Sequence, residues 1–314
     1  MSAPFHSYLY GCEAAEWVTI MNKDTFEGIF PYLVSPIDRD GNVMEESLRN
    51  LVSHLINCGV HGLTPLGSTG EFFYLSWEQK KKIVEIVVDE TRHRIPVVAG
   101  VAASNTREAV FQAQTFERMG VEGILSILNV YFPLRPQDVR DYFSGVAQSV
   151  SCPVVLYNNP KFSHFEMGAD LLESLCGLPN IQYYKDATGN TGNLLALANR
   201  LGPKVKIFSA SAHVPVFVMM LGGVGWMSGP ACVIPGESVK LYSLCKEKQW
   251  DEAMALQKKL WAINRIFQKY NLAACIKACL EMQGFAVGAP VPPNGEIDGA
   301  GKEEISQALH DLLL

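Results

Sequence analysis

Eight short apolar runs punctuate the chain, separated by longer stretches in which apolar residues recur at helical spacing. The runs are GIFPYLVSP from residue 28, HGLTPLGST from 61, IPVVAGVAA from 95, VEGILSILN from 121, CPVVLYNN from 152, IQYYKDAT from 181, VKIFSASA from 205 and GWMSGPACV from 225. Most are near-continuous rather than alternating, the pattern of strands covered on both faces in a parallel sheet. Helix-start signals lie between them. Ser76 opens SWEQ and Asn105 opens NTRE, each a capping residue with Gln or Glu three positions on, and Pro136 stands as a first-turn proline would. Successive runs begin roughly 20 to 34 residues apart, the length of one strand–helix unit. Eight such units predict an α/β fold, a (β/α)8 TIM barrel over residues 26–235. An open doubly wound sheet is the competing arrangement, but no GxGxxG follows the first run.

From residue 236 the short runs stop and the pattern turns helical, predicting a C-terminal helical subdomain over 236–314. GAPVPPNGEIDGAG is a Pro/Gly-rich loop before its last helix. Residues 1–25 read as an N-terminal extension.

Composition narrows the function classes. The net charge of -6, without basic runs, gives no support to a nucleic-acid or anionic-membrane partner. The eight cysteines form no CxxC pair and sit mostly in apolar stretches, Cys275 and Cys279 on one helical face. That usage fits a reduced, cytoplasmic protein. A spanning helix and a signal peptide are not expected, since no apolar run is long enough and the N-terminus lacks a basic start.

Barrel enzymes carry their chemistry at the C-terminal ends of the strands. There the second run ends in GSTGE with Ser68, Thr69 and Glu71, and the fourth leads to Asn129 and Tyr131. The fifth ends in Tyr157, and the sixth ends in Lys185 followed by DATGN. A lysine closing an apolar, aromatic run either emerges at the surface or presents its amine to a pocket. A neutral amine attacks a ketone to give a Schiff base, an electron sink for making or breaking the adjacent bond. Desolvation between barrel walls supplies the necessary lowering of its pKa. A tyrosine hydroxyl both donates and accepts protons, as carbinolamine formation and dehydration require; Tyr157 is equally compatible with plain packing. GSTGE can hold a carboxylate on its amides and hydroxyls or act as an ordinary turn, with Glu71 satisfying the same loop. LGGVGWMSG, residues 221–229, offers either a phosphate loop at Gly222–Gly225 or glycines that allow close strand packing.

Together, GSTGE, YNNP and YKDATGN, in that order, resemble the motifs of the dihydrodipicolinate synthase / N-acetylneuraminate lyase family of class I aldolases. Tyr157 and Lys185 stand 28 apart, as in that family. The resemblance spans about residues 26 to 312. It implies a Schiff base between Lys185 and pyruvate or another 2-keto acid, with an aldehyde as the second partner. Tyr157 would shuttle protons, and Ser68 and Thr69 would hold the keto acid's carboxylate and extend a relay. Phe162 and Met227 would be further substrate contacts. Tyr131 is similar to the tyrosine that reaches a neighbouring subunit's site in that family, with Val130 or Phe132 as alternatives. A homotetramer built as a dimer of dimers is implied, with no metal or organic cofactor.

The sequence also departs from the family. The synthases carry an arginine two residues past the proline of YNNP, where this chain has Phe162, which cannot pair with a carboxylate. The sialic acid lyases favour an acidic pair after strand seven, where SASAHVP offers Ser211 and His213. The family's aryl hydratase-aldolases also have an apolar residue in the arginine's place, and an apolar or aromatic aldehyde would suit Phe162 and Phe165. The resulting expectation is a lyase or aldolase catalysing reversible aldol cleavage, condensation or dehydration. The alternatives are a synthase-like condensing enzyme with an altered second substrate, a non-catalytic keto-acid-binding barrel, and a phosphate-binding isomerase.

Overall fold

A computed structural model describes residues 25–210, 212 and 214–313. The expected extension over 1–25 therefore lies, but for its last residue, outside the described residues, as do Ser211 and His213. Seven of the eight apolar runs form parallel strands: β1 (Gly28–Pro31), β2 (Val98–Ala103), β3 (Gly123–Leu128), β4 (Val154–Asn158), β5 (Ile181–Asp186), β6 (Lys206–Ser209) and β7 (Gly225–Ser228). Their spatial order is β1-β7-β6-β5-β4-β3-β2, and helices follow the strands along the chain. The fold is TIM-barrel-like.

The run from residue 61 is the exception: Leu63 and Thr64 make single parallel bridges, to Val97 and Tyr32. The cause is local. Pro65 has no N–H to donate, and Leu66 adopts φ +59°, so the chain turns out of strand geometry after Thr64. The stretch still links the two sheet edges. Thr64 N–H donates to Pro31 O at 3.0 Å, Leu63 N–H to Pro96 O at 2.9 Å, and Gly100 N–H to Pro65 O at 2.9 Å.

Two apolar clusters result. Phe26, Phe30, Val98, Leu125, Val155, Tyr183, Phe208 and Met227 fill the inside of the curled sheet, while Ile29, Leu33, Val101, Ile124, Leu156 and Tyr184 face the helices. Neighbours in sequence thus go to opposite faces, which makes the near-continuous runs legible as strands buried on both sides. The cap signals also form: Ser76 and Gln79 complete a reciprocal capping box, and the Asn105 side chain accepts from Glu108 N–H. Gly225 has φ +152°, and a Cβ there would lie 2.0 Å from Gly28 O. It permits β1 and β7 to approach. Gly222–Gly225 lead into β7, which Gly225 opens, at the N-terminal ends of the strands, so this loop is no phosphate site at the opposite face.

Beyond β7 lie helices Pro235–Lys246, Trp250–Lys259, Trp261–Lys269, Leu272–Met282 and Gly299–Leu313. Cys275 and Cys279 are buried on Leu272–Met282, and they, Cys152, Cys176, Cys232 and Cys245 are free thiols. Among the described residues no metal-ligating cluster forms and no helix is long and apolar enough to cross a membrane.

Candidate active site

Parallel pairing of β4 and β5 sets Tyr157 directly beside Lys185. Both point inward with Tyr183 and Val155, because alternate strand residues share a face. Lys185 is 1% exposed. Its Nζ lies 3.8 Å from the Tyr157 ring centroid and 3.6 Å from that of Tyr32. Burial pushes the amine's pKa well below its ordinary value. The two ring faces favour the cation by about 0.5–2 kcal/mol each. Desolvation of the buried ammonium outweighs them, so the net shift is downward.

The Tyr157 hydroxyl accepts a hydrogen bond from Asn159 Nδ2 at 2.9 Å and shares a second with the Ser68 side chain. Burial raises the phenol's pKa, and the two hydrogen bonds pull the other way. Above it opens a cavity of about 310 Å³, within the usual size of small-molecule sites. Ser68, Asn129, Tyr157, Asn159, Phe162 and Asn294 are among its lining. Lys185 is not part of that lining and meets it through the Tyr157 ring. The acid after it is structural: Asp186 accepts from Thr188 Oγ1 at 2.7 Å, Thr188 N–H at 3.0 Å and Asn158 Nδ2 at 3.1 Å, pinning the DATGN turn.

GSTGE is held from an unexpected direction. Glu71, at φ +55°, forms a buried ion pair with Lys277 Nζ at 2.8 Å. It also accepts from Val291 N–H at 2.9 Å and Asn294 Nδ2 at 3.0 Å, while Lys277 donates to Ala289 O at 2.8 Å. The helix Leu272–Met282 and the Pro-rich loop therefore fix the turn that carries Ser68. A lysine amid the apolar LAACIKACLEM is the sequence signal for this pair. Tyr32, one aromatic in an apolar run, and Asn159 are functional candidates that the sequence alone does not single out.

The remaining candidates are not all drawn together. Thr69 is buried, its Oγ1 without a partner among the described residues. Phe162 sits on the cavity lining and is 63% exposed, whereas Phe165 packs into the outer cluster. Met227 is fully buried inside the sheet. Tyr131 is 89% exposed and packs edge-on against Phe132, turned to solvent within the single chain.

Known proteins place this geometry in context. The family model described as "Dihydrodipicolinate synthetase family" matches residues 25–312. The 4-hydroxy-tetrahydrodipicolinate synthase of Methanopyrus kandleri is 31% identical over 291 residues, 91% of this chain and 96% of that protein. That of Bartonella quintana is 32% identical over 288 residues, covering 90% and 97%. Among solved structures, YagE, a prophage protein of the dihydrodipicolinic acid synthase family from E. coli K12 in complex with pyruvate, superposes with a TM-score of 0.88. It is 28% identical, with 92% of this chain and 99% of that one covered.

Proposed function

From the premise that the chain belongs to the dihydrodipicolinate synthetase family, we propose that Lys185 forms a Schiff base with pyruvate or another 2-keto acid, for reversible aldol cleavage, condensation or dehydration. One observation carries this reading: a desolvated amine lies against a phenol that is itself hydrogen-bonded to Ser68 at the floor of a cavity. The neutral amine adds to the ketone carbon. Tyr157 then delivers a proton to the departing hydroxyl, water leaves, and loss of a C3 proton gives the enamine. Ser68 relays protons to Tyr157, and the Ser68–Thr69 turn takes the keto acid's carboxylate. We read the bridged stretch at Leu63–Thr64 as the eighth stave of a closed barrel. The free thiols of Cys152, Cys176, Cys232, Cys245, Cys275 and Cys279 suit a cytoplasmic protein. Phe73, Tyr74, Tyr131 and Phe132 are large exposed aromatics that suit a subunit contact in a dimer of dimers.

The test is borohydride reduction in the presence of pyruvate, followed by intact-mass measurement and peptide mapping. A stable pyruvyl adduct on Lys185 is expected; no adduct with any of several 2-keto acids defeats the reading. An adduct without turnover of any aldehyde or aldol identifies a binding protein instead.

Two predictions follow from the individual side chains. Tyr157→Phe lowers kcat by roughly 10²–10⁴-fold, the usual size of a general acid–base contribution. Its KM for the keto acid moves far less, since the ring stays in place; steady-state kinetics separate the two. Phe162→Arg introduces a guanidinium at the cavity lining. KM for a carboxylate-bearing aldehyde is expected to fall roughly tenfold, as one charge-assisted hydrogen bond allows. An unchanged KM would show that position 162 does not meet the second substrate.

A further inference from the structure

We infer that Tyr32 determines which 2-keto acids Lys185 accepts: its ring limits the chain beyond the carbonyl, and its hydroxyl binds an oxygen of the keto acid. The inference rests on the Schiff-base reading of Lys185 and adds a residue that no motif singled out.

The placement is rigid. Tyr32 follows β1, where its N–H donates to Ser228 O at 3.1 Å, it bridges Thr64, and its carbonyl accepts from Cys232 Sγ at 3.1 Å. Its ring belongs to the inner cluster and lies flat against Gly67, where a Cβ would come within 2.3 Å of Tyr32 Cδ2. The glycine before Ser68 thus makes room for the ring. That ring and the Tyr157 ring meet edge-to-face, centroids 6.5 Å apart and planes at 80°, with Lys185 Nζ under 4 Å from each centroid. A carbonyl carbon bonded to Nζ must therefore sit between two aromatic walls. Tyr157 belongs to the cavity lining, whereas Tyr32 does not and is 2% exposed. Carbon beyond C3 that turns away from the cavity meets the Tyr32 ring, where little slack exists in a packed interior.

The hydroxyl gives the second, independent sign. Tyr32 OH is buried and has no hydrogen-bond partner among the described residues. An orphaned buried hydroxyl costs about 1–3 kcal/mol and is rare enough in folded proteins to call for a cause. The ring that carries it lies 3.6 Å, at its centroid, from the amine that would hold the substrate, so a keto-acid oxygen is the ligand that satisfies it.

The experiment measures borohydride trapping rates on the full chain with pyruvate, 2-oxobutanoate and 2-oxopentanoate. In the parent, the rate should fall roughly tenfold or more at the first added carbon, the discrimination one methylene provides in a tight pocket. Tyr32→Ala should erase most of that ratio, and Tyr32→Leu part of it. Tyr32→Phe should keep the ratio but weaken the pyruvate concentration dependence several-fold. A residue that only supported the fold would slow all three acids equally. Equal rates for the three acids in the parent overturn the inference without any variant. So does a parental ratio retained in both Tyr32→Ala and Tyr32→Leu while the adduct still forms on Lys185. Absence of any adduct in the parent defeats the Schiff-base reading itself, and this inference with it.

Discussion

Lys185→Ala abolishes the pyruvyl adduct and lowers turnover by roughly 10⁴-fold or more, the scale on which removing a covalent nucleophile acts. The loss cannot be ascribed to a disrupted fold if the companion Lys185→Met is measured as well. Its apolar side chain fits the tube between Tyr32 and Tyr157 without a charge to desolvate. It should unfold at a higher temperature than the parent. The sign follows from protons bound. Burial lowers the amine's pKa in the folded chain below its ordinary 10.5, so the unfolded chain binds the extra proton and parental stability rises with pH between those two values. The advantage of Lys185→Met is thus complete below the lowered value and vanishes as pH climbs through 10.5. Each pK unit of depression contributes about 1.4 kcal/mol to it. Thermal melts at several pH values check this. A variant that is inactive and also less stable than the parent at neutral pH would mean that Lys185 is charged and structurally required, contrary to the mechanism.

The pairing of Lys185 with Tyr157 was legible because each ends a distinct apolar run, and successive runs in this fold become adjacent strands. Register then brings the two side chains together without any help from the rest of the chain. The run at residue 61 misled for an equally local reason: its apolar content matched the others, but Pro65 and the left-handed Leu66 break strand geometry. Gly222–Gly225 offer a phosphate loop by composition, but they lead into the start of β7 and so lie at the wrong ends of the strands. Tyr32 was hidden because apolar runs do not state which aromatic carries its hydroxyl inward. Phe162 and Phe165 looked equivalent by composition, and only the short helix Pro160–Ser163 turns one to the cavity and the other to the outer core. Lys277, the counter-charge of Glu71, lies near the far end of the sequence, where no spacing rule connects it to GSTGE.

That partner carries the largest stability effect. Lys277→Met destabilises the protein by about 3–5 kcal/mol, because Glu71 is left as a buried carboxylate without its counter-charge. The remaining donors, Val291 N–H and Asn294 Nδ2, satisfy only one of its oxygens. The reverse substitution, Glu71→Gln, costs less. Burial already lowers the Lys277 pKa, with Glu71 acting against that shift. Once Glu71 is neutral, the lysine can shed its proton rather than remain a buried ion. The double variant Glu71→Gln, Lys277→Met should recover most of the loss, since uncharged groups of similar volume replace a buried pair at little cost. Denaturant unfolding of the three variants measures the asymmetry and the coupling. Activity adds a separate readout: because this pair fixes the turn that carries Ser68, the folded fraction of Lys277→Met should still turn over more slowly than the parent. Lys277→Met unfolding within about 1 kcal/mol of the parent would mean that the helix Leu272–Met282 does not hold GSTGE in place.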